Sequence, residues 1–433
     1  MPYQSGKRLS GEYASKLGHL EIIKSKLVNE LIEQFEDQEP IEIAPNVRWI
    51  KIDEEVDPLR LIFAVDGSKQ TVRSDFPPYK ELSFVKTALL RLDQHALGKL
   101  DPVAPHPMAL RDIMSNSAMY HATVFPLKGV KFKDKNNYDA IREIIYDSLR
   151  DKSLNEELFT TLKWLAYEKW TKNNKRLSPS FSCPHCNKEV NGLPYDADED
   201  RCEHCGGYLY LSDMIGFHLE MSEDTAPDSL ASAYMLTHET LFLFTGIRYF
   251  WESKKYNVLN NALFIKDGPL TLRSQYSKLV IPIRNFFMFA KEKGVNIYVM
   301  GQEKTGIFAD HLEIIYRNAP EKSVFIPDNE YIRKEIQQRP ERSEPYGLRT
   351  NYGNKLFVKV DKYHHLVLSV PTGAYTDSKS LDDFIGIRRI LATLPTIISH
   401  RHECALIPIE LANGVASLSS YPSATILKMF ADI

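Results

Sequence analysis

The sequence has no apolar run that approaches the ~20 residues needed to cross a bilayer. Its first ten residues, MPYQSGKRLS, lack the apolar segment of a signal peptide. It also lacks a basic excess, since 54 Lys and Arg face 57 Asp and Glu. We therefore expect a cytoplasmic protein without membrane contact. If it binds nucleic acid, the positively charged surface is local or is supplied by a partner.

Cysteine is scarce as well. Five occur in 433 residues, and Cys404 stands alone. The other four form two CxxC pairs that are separated by fifteen residues (187–201): Cys183, Cys186, Cys202 and Cys205. In a chain without an export signal, such pairs indicate a metal site rather than disulfides.

Two CxxC turns can direct four thiolates at one centre, which is the tetrahedral shell of structural zinc. Gly206-Gly207 after the second pair lets the backbone curl around the metal. We therefore predict a zinc ribbon within 180–212 that binds one structural Zn2+. His185 and His204 lie between the cysteines and are the alternative ligands. This motif specifies a metal but no function.

Periodicity predicts a mixed α/β chain. An amphipathic helix over 12–36 either packs on its own domain or forms a dimer or partner contact. Short apolar runs predict buried strands at 60–65, 261–266, 295–300, 355–360 and 365–370. Helices are expected near 138–150, 155–172, 228–255 and 277–293, and over 405–432 with a proline-containing break.

Two of the predicted strands are followed by Asp-Gly: Asp66-Gly67 after 60–65 and Asp267-Gly268 after 261–266. One such pair is usually a turn. Two carboxylates at strand ends are also how a site for hard divalent cations can be built, because these ions need carboxylate oxygens from neighbouring strands.

The segments around these aspartates, AVDGS (64–68) and DGPL (267–270), resemble the NurA family of nucleases. Segments 301–308, 370–371 and 408–413 are similar to later elements of that family. The resemblance spans about 60–430 and implies an RNase H-like nuclease domain. It divides the chain into an N-terminal helical segment (1–58), a discontinuous nuclease domain (59–104 and 226–433) and an insertion (105–225) that carries the zinc ribbon.

The resemblance also implies a catalytic site that binds Mn2+ or Mg2+ through Asp66, Asp267 and a glutamate from the preceding helix. Glu239 is favoured for that role, and Glu252 stays open. Lys304 is either a group that neutralises the scissile phosphate or a surface lysine. In archaeal members a histidine occupies the position of Asn413, and an amide cannot shuttle a proton. Two other histidines lie nearby in sequence and are expected on the surface or in packing: His311 and His400.

The function implied by the resemblance is DNA phosphodiester hydrolysis by a homodimer docked on the HerA ring ATPase. Repair and anti-phage defence both fit. The alternative is a non-catalytic zinc-ribbon adaptor that docks on a ring ATPase or on nucleic acid. Asn413 and the long insertion favour the adaptor, whereas the presence of both Asp66 and Asp267 argues for the nuclease.

Overall fold

A computed structural model of the chain describes residues 25–35, 47–52, 55–93, 118–222, 226–340, 344–377, 379–399, 404–418 and 422–433. The contacts divide the chain into two units, 1–46 and 47–433. In the first unit, helix α1 spans Lys26–Glu33, and the Ser25 side chain caps it by accepting a hydrogen bond from the Val28 N–H. The helix predicted over 12–36 is thus seen over Lys26–Glu33, and residues 12–24 lie outside the described residues.

The second unit contains thirteen described strands. They are β1 (Ile50–Lys51), β2 (Leu61–Arg73), β3 (Glu81–Asp93), β4 (Ala118–Lys128), β5 (Phe181–Ser182), β6 (Glu189–Val190), β7 (Glu199–Arg201), β8 (Tyr208–Tyr210), β9 (Ala262–Asp267), β10 (Tyr298–Glu303), β11 (Ser323–Phe325), β12 (Asn354–Lys359) and β13 (His365–Val370).

This unit also contains ten described α-helices. They are α2 (Asn137–Leu149), α3 (Glu157–Ala166), α4 (Asp228–Glu252), α5 (Tyr256–Leu259), α6 (Val280–Glu292), α7 (Ile307–Ile315), α8 (Asn329–Tyr331), α9 (Ile387–Thr393), α10 (Ile407–Ala416) and α11 (Ser423–Ala431). Short 3-10 segments join several of them, and a π-helical turn follows α8. None of the helices in the described ranges combines the length and the apolar character that crossing a membrane requires.

Nine strands form one mixed sheet in the order β1-β11-β12-β13-β10-β9-β2-β3-β4. Strands β2, β9 and β10 run parallel to one another, and the remaining pairs are antiparallel. The first five residues of β9, ALFIK, are all buried. That pattern is expected for a parallel strand with helices on both faces. The prediction of a mixed α/β chain is confirmed.

The sheet separates the two larger apolar cores, because alternate side chains of a strand point to opposite faces. Phe63 and Val65 of β2 belong to the larger core, together with α2, α3, α4, α6 and the cysteine-rich hairpins. Ile62 and Ala64 belong to the core that α9 and α10 cover. A functional side chain on β2 therefore faces either α4 or α10.

The prediction that the strand at 60–65 ends at Asp66 is wrong. Strand β2 continues to Arg73, and β3 pairs with it along that whole length. The paired strand β9, in contrast, stops at Asp267. The polar residues after Val65 reflect this loss of a neighbour on one side. Asp66 thus lies inside a strand, at the level where the adjacent parallel strand ends.

The proposed boundaries of the insertion stay a prediction. Within 105–225, strand β4 is the edge strand of the main sheet and pairs with β3. Residues 137–222 carry α2, α3 and two small hairpins, β5-β6 and β7-β8, which pack into the larger core. The cysteine-rich segment is therefore anchored to the sheet through shared apolar packing.

Candidate metal centres

Asp66 and Asp267 lie side by side on neighbouring strands. In the parallel pairing of β2 with β9, Val65 is opposite Lys266, so the next residues are the two aspartates. Strand alternation turns both carboxylates toward the face that α10 covers. On the other side of β9, Asp267 pairs with Gln302 of β10. Two residues that are two hundred positions apart in sequence thus share one edge of the sheet, as the Asp-Gly pattern indicated.

Asp66 is almost completely buried, with 4% of its surface exposed. Its Oδ1 accepts a hydrogen bond from the Gly67 N–H at 2.7 Å, whereas Oδ2 is buried without a well-formed hydrogen bond. Burial and the charge of Asp267 raise the pKa of Asp66 to about 6, and the Asn413 amide, the Gly67 N–H and Lys304 offset part of that rise. A buried carboxylate oxygen without a well-formed hydrogen bond is the kind of atom that a cation would satisfy.

Lys304 is the cation next to Asp267. It follows the end of β10, and its Nζ lies 3.2 Å and 3.3 Å from the two carboxylate oxygens of Asp267. Both side chains remain partly exposed, at 34% and 26%. The predicted proximity of Lys304 to the site is therefore observed, while its role toward a phosphate stays a prediction.

Glu239 lies in the middle of α4, with 2% of its surface exposed. Its Oε2 is 2.6 Å from Nζ of Lys266, which is completely buried. Burial raises the pKa of Glu239 to about 7. Lys266 opposes that rise, and the charges of Asp66 and Asp267 add to it. The charges of both aspartates therefore act on the carboxyl group of Glu239.

Glu239 approaches from the other face of the sheet. A Cβ added to Gly67 would lie 2.6 Å from Glu239 Oε1, so only glycine at position 67 leaves room for this carboxylate. Among the described residues, two groups of three or more His, Cys, Asp or Glu side chains have ligand atoms within 4.8 Å of one another, and the trio Asp66, Glu239 and Asp267 is not one of them. The two aspartates on one face of the sheet and Glu239 on the other thus lie at the level where β9 ends beside β2.

Glu252 is the last residue of α4. It forms an ion pair with Arg248, and its side chain is 49% exposed. Thirteen residues separate it from Glu239, which is about 20 Å along a helix at ~1.5 Å per residue. This distance favours Glu239 for the third carboxylate.

The residue that departs from the family pattern, Asn413, is on α10 and lies next to Asp66, whose pKa its amide lowers. His311 is buried against Tyr331, with Nε2 2.8 Å from the phenol oxygen. Its surroundings agree with the expectation of a packing histidine. His400 lies outside the described residues.

The four paired cysteines converge on one point. The Sγ atoms of Cys183 and Cys205 are 3.8 Å apart, those of Cys186 and Cys202 are 3.9 Å apart, and all four lie within 4.8 Å of one another. Zinc–sulfur bonds of ~2.3 Å in a tetrahedron place the sulfurs ~3.8 Å apart. The cluster is therefore compatible with a zinc site closed by four thiolates.

The neighbouring histidines have other roles. Nε2 of His185 lies 3.0 Å from the Tyr208 carbonyl oxygen. Its ring also fills the space beside Gly207, where an added Cβ would be 2.3 Å from Cδ2. His204 is partly exposed, 3.6 Å from Glu203. Arg142 of α2 secures the ribbon through a bidentate pair with Asp213 at 2.9 Å and 2.8 Å.

Two residues near the aspartates, Lys266 and Gln302, were not predicted from the sequence. Lys266 neutralises Glu239, and the signal for it was a lysine inside an otherwise apolar buried run, ALFIKD. Gln302 is completely buried beside Asp267, and its amide donates to the Cys404 carbonyl. A polar side chain in VNIYVMGQ offered only a weak sign, because its partner comes from a segment far along the chain.

The raised pKa of Asp66 predicts a stability effect. A folded-state pKa above the unfolded value means that rising pH removes stability through the window between them, about 4 to 6. A rise from 3.8 to about 6 corresponds to about 3 kcal/mol at full ionisation. We expect Asp66→Asn to increase the free energy of unfolding by about 1–3 kcal/mol at pH 8 without added Mn2+ or Mg2+, and by less near pH 5.

Urea denaturation at both pH values measures this effect. Asp228→Asn is the matched control, because Lys69 and Thr71 lower the pKa of Asp228 against the effect of burial and its loss should not stabilise. Equal stability of wild type and Asp66→Asn at pH 8 contradicts the electrostatic description of the site.

No family model matches this chain, and no curated protein is similar enough to count as a relative.

Proposed function

We propose that this chain is a divalent-metal-dependent DNA nuclease with an RNase H-like core. The observation that carries the proposal is the placement of Asp66 and Asp267 on adjacent parallel strands, with Asp66 buried and its Oδ2 without a well-formed hydrogen bond. Burial and, after it, repulsion by the charge of Asp267 raise the pKa of Asp66. A divalent cation relieves that repulsion.

The RNase H-like core is proposed for β4, β3, β2, β9 and β10, so the inserted part of 105–225 would begin after β4. Three antiparallel strands that are consecutive in the sheet are followed by two strands parallel to β2. This arrangement brings Asp66 of β2 and Asp267 of β9 to the same edge of the sheet. It supports the proposed fold together with the AVDGS and DGPL segments.

The donors at this edge are oxygens, which fits Mn2+ or Mg2+ rather than zinc. Asp66 and Asp267 would hold the ion, with Glu239 reaching it through the space left by Gly67. Such an ion lowers the pKa of an attacking water and stabilises charge on the phosphate. Lys304, which already balances Asp267, would neutralise a phosphate oxygen at the exposed side of the site.

Lys266 has a positioning role in this proposal. It is completely buried, binds Glu239 and donates to the Asp267 carbonyl oxygen at 2.9 Å. The Lys266 ammonium group thus links α4, which carries Glu239, to the end of β9, which carries Asp267.

The remaining parts of the proposal concern assembly. The chain carries almost no net charge, so we propose that a HerA-type hexameric ATPase supplies the electrostatic grip on DNA and that the nuclease acts as a homodimer. The reaction would serve DNA repair or anti-phage defence. The four-cysteine cluster would hold a structural Zn2+, because its shell leaves no position for substrate.

The second candidate is a non-catalytic adaptor that docks on a ring ATPase or on nucleic acid. Two observations favour it: Glu239 is engaged by Lys266, and Asn413 beside Asp66 cannot move a proton. The adaptor needs no cation at Asp66, so cation binding separates the two functions.

Cation binding is measured by Mn2+-induced stabilisation. We expect Mn2+ at a hundredfold excess over its dissociation constant to stabilise the wild type by about 2.7 kcal/mol. Asp66→Asn and Asp267→Asn should lose that response, and Asp228→Asn should keep it. If Mn2+ stabilises Asp66→Asn and the wild type equally, the proposed site is wrong.

Glu239 and Glu252 form a second matched pair. We expect Glu239→Gln to weaken Mn2+ binding by about tenfold or more, and Glu252→Gln to leave it unchanged. Glu252 forms an ion pair with Arg248 and lies about 20 Å from Glu239 along α4. Glu239→Gln leaves Lys266 without its counter-charge, so the double variant with Lys266→Met checks that weak binding is not caused by misfolding. The opposite order of the two single variants assigns the third carboxylate to Glu252.

A further inference from the structure

Three metal-ligating side chains meet away from both centres described above. Nε2 of His365 lies 2.6 Å from Oε1 of Glu313 and 3.5 Å from Sγ of Cys404. One ligand atom from each residue lies within 4.8 Å of the other two. This Glu-His-Cys cluster contains none of the residues of the aspartate site or the zinc ribbon.

The three residues come from separate elements of the fold. Glu313 is on α7, His365 begins β13, and Cys404 precedes α10. The ring of Tyr316 stacks on His365 with centroids 3.9 Å apart and planes at 15°. This contact fixes the imidazole plane, so the direction of Nε2 is set before any ligand arrives.

The geometry leaves one ring nitrogen facing two electron-rich atoms. Nε2 carries at most one hydrogen. That hydrogen serves the Glu313 carboxylate or the Cys404 sulfur well, but it cannot point at both. A cation placed between the three atoms would interact with the nitrogen lone pair, the carboxylate and the thiolate together.

We propose that Glu313, His365 and Cys404 form a second transition-metal site, which takes zinc or a similar borderline divalent ion. A thiolate and an imidazole select such ions over Mg2+ and Mn2+. In a tetrahedral zinc site the nitrogen and sulfur are ~3.6 Å apart, close to the observed 3.5 Å. The nitrogen–oxygen distance must lengthen by less than ~1 Å, and the Glu313 side chain, which is 57% exposed, is free to move.

Three protein ligands leave a fourth position open, unlike the four-cysteine ribbon. The site also connects to the aspartate edge, because the carbonyl oxygen of Cys404 accepts a hydrogen bond from Gln302, the strand neighbour of Asp267. Metal binding would therefore hold the Cys404 segment against the ends of β10 and β13. The proposal itself does not depend on nuclease activity.

Cobalt titration of the full chain tests the site. The ribbon is first saturated with one equivalent of Zn2+, and Co2+ is then added. We expect a near-ultraviolet thiolate-to-cobalt band in the wild type that Cys404→Ser lacks, and about one metal ion per chain more in the wild type than in Cys404→Ser. Any exchange of cobalt into the ribbon contributes equally to both proteins, so the difference between them reports the new site.

Two further variants keep the test independent of folding. Glu313→Gln changes an exposed side chain on α7 and should weaken cobalt binding at this site at least tenfold, since even the loss of outer-shell partners costs about 10–100-fold. Asp310→Asn, an exposed carboxylate one turn earlier on the same helix, should leave it unchanged. The proposal is overturned if wild type and Cys404→Ser give the same band, or if Glu313→Gln binds cobalt like Asp310→Asn.

Discussion

Asp66→Asn and Asp267→Asn should each lower the rate of Mn2+-dependent DNA cleavage by about a hundredfold or more. Asparagine preserves the shape of the side chain and removes its charge. Each variant therefore leaves one aspartate, together with Glu239, to bind a divalent cation for which we propose both aspartates as ligands in the wild type. Asp66 is the more sensitive position, because its buried Oδ2 has no other well-formed interaction.

The measurement is the initial rate of cleavage of a linear duplex by purified proteins of equal secondary-structure content. Asp228→Asn is the control, since Asp228 is the first residue of α4 and contacts Lys69 and Thr71 rather than Asp66 or Asp267. Cleavage at the wild-type rate by both site variants places the reaction elsewhere and favours the adaptor.

The second large effect concerns the ribbon. Cys183→Ser should remove one zinc per chain and lower the free energy of unfolding by several kcal/mol, because metal binding at such sites is coupled to folding. Cys183 is completely buried, and the ribbon residues Phe181 and Leu209 share the apolar core with Trp164. Loss of the metal therefore disturbs packing beneath the main sheet as well as the hairpins themselves.

Zinc content and tryptophan fluorescence during denaturation report this effect, since Trp164, Trp170 and Trp251 all contact Phe286 in that core. His204→Ala is the matched control, because His204 lies between Cys202 and Cys205 in sequence, is 3.6 Å from Glu203 and is not part of the four-sulfur cluster. A Cys183→Ser protein with wild-type zinc content and stability contradicts the four-thiolate assignment. Loss of zinc in His204→Ala would make the histidine a ligand.

Local patterns predicted the elements of this chain well. The strand at 261–266 appears as Ala262–Asp267, the strands at 355–360 and 365–370 appear almost unchanged, and the proline-containing break separates α10 from α11. The cysteine spacing correctly predicted a four-sulfur cluster. Such features depend on neighbours in sequence, where periodicity and turn chemistry act directly.

Features that depend on long-range pairing were missed. The extension of β2 to Arg73 requires β3 as a partner, and no apolar run marks it. Lys266 has a reason to be buried only when Glu239 from α4 approaches it. The Glu313, His365 and Cys404 cluster joins residues from three separate elements without any spacing that signals a site.

The pKa of Asp66 shows why the aspartate site itself could be predicted only in part. Two Asp-Gly pairs after apolar runs were enough to place the two aspartates together. The rise of the pKa to about 6 follows from burial and from the approach of Asp267, and both depend on where β9 ends relative to β2. That register is a property of the assembled sheet.

The most direct test of the nuclease is cleavage of linear duplex DNA by the purified wild-type chain, alone and with a HerA-type ATPase. Chelation removes all metal, and Zn2+ and Mn2+ are then restored separately or together, so that the structural and catalytic ions are distinguished. We predict that Zn2+ alone restores the folded core without cleavage, and that Mn2+ added to the zinc-loaded protein restores cleavage. Absence of cleavage under every condition, with Mn2+ bound at Asp66 and Asp267 and the ATPase present, contradicts the proposed nuclease.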